Sequence, residues 1–298
     1  PQIIIKGFDK RVLKESKESK VIMDAYVKNG GGAAVRYGED ADMFVNTGGA
    51  GYHREIYLLF GLDELKNTDL SKYEIETYMS LYQYNCQPEA NKTNWDVRPV
   101  ANTDWNDSKA TGINWNTRPT VTDEIIASTP GFLNNKEVSG YNEKNVAIFD
   151  ITKYIQNQLA ENKEKISLNI KGSASAGNSS KYVSVFAPRE YKLDGINVDE
   201  RTIPKLTFNL YEKKIIPKLT ISTVKVKDKE YDESLFAELD IENTLLEGVN
   251  TSDDVKIDDS ELILRFEDAT SGENKTVIAQ GIFKLTGADA NKYELVQP

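Results

Sequence analysis

A six-residue pattern, Asn-Trp-x-x-Arg-Pro, stands twice in close succession, as Asn94-Trp95-Asp96-Val97-Arg98-Pro99 and Asn114-Trp115-Asn116-Thr117-Arg118-Pro119. Proline disfavours helical backbone in the residue before it, so each Arg-Pro pair calls for an extended or turn-like chain and argues against helix here. All three tryptophans, Trp95, Trp105 and Trp115, fall inside this stretch. An indole is a large apolar body with one N–H handle, suited to a core and also to stacking on a sugar ring. The pattern predicts a rigid, strand-linking corner wedged by indoles.

Strand signals dominate the rest. In Tyr73–Tyr84, Ile75, Thr77, Met79 and Leu81 alternate with Tyr78, Ser80, Tyr82 and Tyr84, the period-two pattern of a half-buried strand. Arg54–Phe60 is almost continuously apolar, as in a strand covered on both faces, and Val183–Ala187 and Lys205–Tyr211 add two more. Many short strands broken by Gly and Asn loops predict a β-sandwich or jelly roll. One helix is expected after Asp150, where Ile151, Ile155 and Leu159 form a stripe and Asp150 can cap the first turn.

Two glycine runs, Asn29–Gly32 and Thr47–Gly51, flank Tyr37-Gly38-Glu39-Asp40. They lack the strand and helix context of a dinucleotide or phosphate loop and read as tight connections. Ile203-Pro204-Lys205-Leu206-Thr207 recurs as Ile216-Pro217-Lys218-Leu219-Thr220, each copy placed to open a strand. This puts a seam at about 212–217 and divides the chain into domains 1–213 and 217–298.

The chain has 298 residues, 37 Lys+Arg and 47 Asp+Glu. Residues 1–213 hold 27 bases against 29 acids, and residues 214–298 hold 10 against 18. Neither part has the basic excess that nucleic-acid binding needs. No apolar run is long enough to span a membrane. The polar, lysine-rich Pro1–Lys20 suggests a piece whose export signal lies elsewhere. The lone Cys86 forms no internal disulfide and, with a single histidine, His53, builds no metal site.

Residues 21–211 resemble the DNRLRE, or disaggregatase-related, domain, classed as family 96 carbohydrate-binding modules. The resemblance rests on Asp24–Gly31 with Tyr37-Gly38, Arg54–Phe60, Thr103–Asn106, Ile113–Pro119, Phe149–Thr152 and Phe186–Glu190. It implies a non-catalytic jelly roll appended to secreted polysaccharide-degrading enzymes, with alginate as a ligand class. The chain departs from the family pattern at Asp107, in the extra motif copy at 94–99, and in longer loops at Ala33–Arg36 and Ser173–Ser180. Residues 217–298 resemble the YDG-type module of bacterial surface proteins, through Lys227–Asp232, where Glu233 replaces a glycine, and Gly287–Tyr293. That resemblance implies an immunoglobulin-like spacer with no site of its own. The expected fold is therefore all-β: a jelly-roll sandwich with one short helix, then a small immunoglobulin-like β domain.

For catalysis, a nucleophilic centre would need His53 as its base, and no Gly-x-Ser-x-Gly elbow accompanies it. A lyase using Tyr52 and His53 is weakened because neighbours on a strand face opposite ways. For binding, a uronate carboxylate is met bidentately by arginine. The candidate cations are Lys28, Arg36, Arg54, Lys181 and Arg189, with Arg54 and Arg189 foremost because they stand in matched family segments. Arg118, in the indole corner, reads as structural. Tyr52 and His53 join the candidate ligand-binding set. So do Tyr82 and Tyr84, which with Tyr78 can floor a sugar groove. A purely structural spacer is the third class. A structural Ca²⁺ is open, with Asp24, Asp40, Asp42 or Asp150 as oxygen donors. Asp253-Asp254 and Asp258-Asp259 lack EF-hand spacing. The reading is an exported, monomeric, bacterial, secreted or cell-surface binding module, joined to a catalytic domain and requiring no cofactor. Its expected partner is an acidic polysaccharide, most of all alginate, with a neutral glycan as the alternative.

Overall fold

The first domain's strands run β1 Leu13–Lys28, β2 Tyr37–Gly38, β3 Met43–Thr47, β4 His53–Gly61, β5 Tyr73–Cys86, β6 Asn94–Val100, β7 Ala127–Pro130, β8 Val146–Asp150, then helix α1 Thr152–Ala160, β9 Lys165–Gly172, β10 Ser184–Phe186 and β11 Lys205–Glu212. The structure is a computed structural model that describes residues 11–48, 51–133, 140–173, 180–213 and 216–298. Gly49-Ala50 of the second glycine run, most of the Ser173–Ser180 loop, Lys214-Ile215 of the seam and the first ten residues lie outside the described residues. The chain divides into two compact units after Lys213.

Unit one is a two-layer β-sandwich. One layer holds the first half of β1 with β11, β5, β8 and β10; the other holds the second half of β1 with β2, β4, β9, β6 and β7. Strand β1 changes layer at the irregularity between Val21 and Met23, and β3 joins the layers by pairing with both β10 and β4. Between the layers sits the main core, built on Ile56, Leu58 and Phe60 of β4, Met79 and Leu81 of β5, Leu168 and Ile170 of β9, and Phe208 of β11.

The continuous apolar run of β4 has a clear cause. Ile56, Leu58 and Phe60 face the core, while Tyr57 and Leu59 face outward into a second cluster with Ala25, Val27, Val100, Trp105 and Ile113. The segment from Ala101 to Val121 folds over that outer face and dries it. Gly38 admits the segment: a Cβ there would lie 1.7 Å from the Asp107 carbonyl oxygen.

The three tryptophans have different fates. The first motif copy is itself strand, not a corner between strands. Its Trp95 is fully buried in the main core, edge-on to Phe132 and Phe186. Pro99 is tolerated in β6 because its carbonyl accepts from Thr122 on the side where the β7 ladder has ended, so its missing N–H breaks no bond to β9. Trp105 donates from Nε1 to Ser167 Oγ at 2.8 Å. Trp115 stays half-buried in the turn that carries the second copy.

Helix α1 forms as its stripe demands, with Ile151 and Ile155 buried and Leu159 packed against the core. Asp150 accepts the Thr152 amide at 3.0 Å.

Unit two is a small β domain of short strands: β12 Lys218–Thr223, β13 Phe236–Ala237, β14 Leu245–Glu247, β15 Lys256–Asp258, β16 Leu262–Phe266, β17 Val277–Gly281, β18 Lys284–Thr286 and β19 Glu294–Val296. They form three sheets around Ile221, Ala237, Leu239, Ile257, Leu264 and Phe283. Glu233 takes a φ of 61°, the left-handed conformation that glycine adopts without cost.

Candidate functional site

The outer face of β4 carries His53, Glu55 and Tyr57 in alternation. Register places Tyr57 beside Asn169 of β9, and Asn169 beside Arg98 of β6. Lys171, two residues after Asn169, shares that face. The second motif copy crosses above and adds Trp115 and Arg118. The result is an open groove of about 420 Å³ lined by Glu55, Arg98, Trp115, Arg118, Asn169 and Lys171 among others. The arginines of both motif copies thus meet in one groove.

Glu55 is its electrostatic centre, at 5% exposure. It accepts from His53 Nε2 at 2.8 Å and from Asn169 Nδ2 at 3.2 Å, and Lys171 Nζ stands 3.7 Å away. Burial alone would raise its pKa. The hydrogen bond from His53 and the charges of His53, Lys171 and Arg118 outweigh burial and hold the carboxyl below its usual range. His53 also packs edge-on against Trp115 at 5.4 Å. Arg118 lies flat on the indole, 3.7 Å from its centroid, and donates to the Trp115 carbonyl. The indole meets the groove through the guanidinium that covers it.

Two polar atoms here are orphans. Arg98 donates from Nη1 to the Asp123 carbonyl at 2.7 Å, but its Nε is buried without a partner. Asn169, fully buried, has spent Nδ2 on Glu55 and Ile56 and leaves Oδ1 unpaired. A buried donor and a buried acceptor left unsatisfied on register-paired residues cost stability at the floor of the groove.

The other expected site residues fall elsewhere. Tyr52 is 57% exposed at the start of β4. Tyr82 and Tyr84 lie on the outer face of the opposite layer and do not floor an open groove. Tyr82 is 3% exposed, stacked on Tyr141, with Arg201 over the Tyr141 ring. Tyr84 stacks on Tyr191, and its hydroxyl donates to Asp42. Tyr78 donates to Glu76 at 3.1 Å. Arg36 is a loop pin, donating from Nε to the Gly112 carbonyl at 2.8 Å. Lys181 is exposed, 3.9 Å from Glu89. Lys28 and Arg54 are register partners on β1 and β4, on the face opposite the groove.

Arg189 is engaged as an internal tie. Its guanidinium binds Asp107, Glu190 at 2.6 Å and the Ile22 carbonyl at 2.7 Å, while its amide donates to Asp24 at 2.9 Å. The acids of this nest are Asp24, Asp107 and Glu190, and the cation among them is the guanidinium. The remaining aspartates offered to Ca²⁺ are engaged as well: Asp40 with Lys109 at 3.0 Å, Asp42 with Tyr84 and Asp150 with the helix. Among the described residues no group of three or more His, Cys, Asp or Glu side chains stands together to hold a metal.

Burial raises Asp24 from 3.8 to about 7, against the lowering effect of the Arg189 amide. The fold therefore holds a proton that the unfolded chain releases. This contribution is complete below pH 3.8 and is lost as pH rises through 7. Between pH 5 and pH 8 it should amount to about 2–3 kcal/mol. We expect Asp24→Asn to flatten that part of the stability-versus-pH curve in urea unfolding. An unchanged slope would refute the raised pKa.

Tyr57 is fully buried, donates to the Pro119 carbonyl at 3.4 Å and has its pKa driven upward by burial. The first unit is thus a two-layer β-sandwich with a polar, cation-lined groove on its outer face. The chain matches carbohydrate-binding module family 96 over residues 15–193, and it belongs to that family. Residues 212–298 match the YDG domain, and both are non-catalytic kinds of module. No curated protein matches the chain. Among the described residues no helix is long and apolar enough to cross a membrane. A carbohydrate-binding module fits an extracellular or surface setting.

Proposed function

We propose that the groove over β4, β9 and β6 binds an acidic polysaccharide, alginate foremost or another uronate polymer. The observation that carries this is the convergence of three cations, Arg98, Arg118 and Lys171, around the buried Glu55 in one groove. A uronate offers what these cations can pair with: a carboxylate that accepts from guanidinium and ammonium groups. Glu55 organises the cations and keeps the groove from becoming a generic anion trap. On this reading residues 1–213 form the binding module and residues 217–298 a spacer. The chain then serves as a monomeric ancillary part of a secreted or cell-surface bacterial polysaccharide lyase or hydrolase.

Affinity electrophoresis of the whole chain tests this against alginate, polygalacturonate and a neutral glucan. We expect retardation by the uronate polymers alone, weakened but not abolished at about 0.5 M salt, because half-buried contacts are screened less than exposed ones. Fragment 1–213 should be retarded to the same degree. Retardation by the neutral glucan alone would overturn the acidic-glycan assignment.

A further inference from the structure

Lys28 and Arg54 are directly opposite in the β1–β4 ladder and project to one side, the side on which Tyr26 and Ile56 enter the core. Both are half-buried. Like charges facing each other across a strand pair are destabilising unless an opposite charge joins them. Among the described residues no carboxylate lies within ion-pair distance of either. The acids of the neighbourhood are spent elsewhere, Asp40 on Lys109 and Asp42 on Tyr84. Arg54 lies over the Phe44 ring at 4.9 Å, and its Nε is buried with no acceptor. The Tyr37 hydroxyl and the Lys28 stem both pack against Gly32, where a Cβ would fall 2.7 Å from the hydroxyl and 3.0 Å from Lys28 Cδ. In a protein with ten more acids than bases, this pair is conspicuous for having none.

We propose that Lys28 and Arg54 form a second anion site, separate from the groove, that takes the carboxylate of a uronic acid. A carboxylate set between the Arg54 guanidinium and the Lys28 ammonium pairs with both at once and relieves the repulsion. Arg54 follows His53 directly, so the two sites lie on opposite faces of one strand, with exposed Tyr52 at the rim between them. A uronate polymer that fills the groove and turns over this rim would be held at two points. That last step rests on the groove reading; the anion site itself does not.

The test follows the Arg54 Nε–H resonance of the full chain by NMR, with sodium glucuronate and sodium sulfate as probes. Glucuronate should shift the resonance saturably in the parent and equally in Arg118→Ala, and should fail to do so in Lys28→Gln. Survival in Arg118→Ala, a groove variant, keeps this inference distinct from the groove. A response to sulfate but not glucuronate would overturn the carboxylate assignment. No saturable response, or one untouched by Lys28→Gln, would overturn the site. A ligand-free readout stands beside it: at low ionic strength Lys28→Gln should raise the melting temperature by about 1–3 °C, as relief of a facing like-charge pair requires. A fall would mean the lysine is held by the fold and would also overturn the proposal.

Discussion

Arg189→Ala should cost unit one about 3 kcal/mol and lower its melting temperature by about 6–12 °C. The side chain joins points that are far apart in sequence: the Ile22 carbonyl, Asp107 in the segment that covers the outer face, and Glu190 beside it. Asp107 also accepts the Asp24 amide at 3.1 Å, so the guanidinium, the covering segment and the crossover of β1 form one network. Removing the cation leaves Asp107, 7% exposed, without its charge partner in a space where Asp24 is 1% exposed. Stranding a buried carboxylate costs more than the ion pair itself contributes. Arg189→Lys should rescue little, since a single ammonium cannot reproduce the fork that reaches all three acceptors. Chemical denaturation measures the loss. Glycan binding by the fraction that remains folded should be unchanged, which separates a tie from a ligand contact. Full stability with lost binding would restore Arg189 to the ligand-binding set.

That reassignment shows what local pattern can and cannot carry. The alternation in Tyr73–Tyr84 places Tyr82 and Tyr84 on the outer face correctly, because side-chain direction in a strand is a local property. What covers that face is not local: Tyr141 and Tyr191 arrive from distant loops and occupy the rings. The apolar run of β4 is legible as a strand buried on both sides, yet nothing in it says that the second cover is the segment from Ala101 to Val121. Arg98 and Arg118 stand out in the duplicated motif, and the turn around Trp115 makes a structural role for Arg118 a fair expectation. Their meeting in one groove follows only from the pairing of β6 with β9 and the path of that segment. Asn169 and Lys171 had a signal of their own. Ile166, Leu168 and Ile170 alternate with Ser167, Asn169 and Lys171, which marks a strand with one apolar and one polar face.

Arg98→Gln and Arg118→Ala should each weaken binding of a uronate polymer by about tenfold to a hundredfold, the scale of about 1–3 kcal/mol for a lost charge-assisted hydrogen bond. Together they should cost less than the sum, because both answer to one bound chain around Glu55 and neighbouring contacts couple. Lys171→Ala should cost less than either. Its side chain is 42% exposed, and surface charges of this kind contribute little. Arg118→Ala carries the sharper information, because it does two things at once. It removes a cation from the groove, and it uncovers the indole of Trp115 on which the guanidinium now lies at 3.7 Å. An acidic glycan loses a charge partner and binds more weakly. A neutral sugar gains an aromatic face to stack on and binds more tightly. Isothermal titration with alginate oligosaccharides and with a neutral oligosaccharide, alongside circular dichroism to confirm the fold, reads the two signs in one variant. Tighter neutral binding with unchanged alginate binding would mean that the arginine is a lid on a stacking platform, and the acidic-glycan reading of the groove would fall.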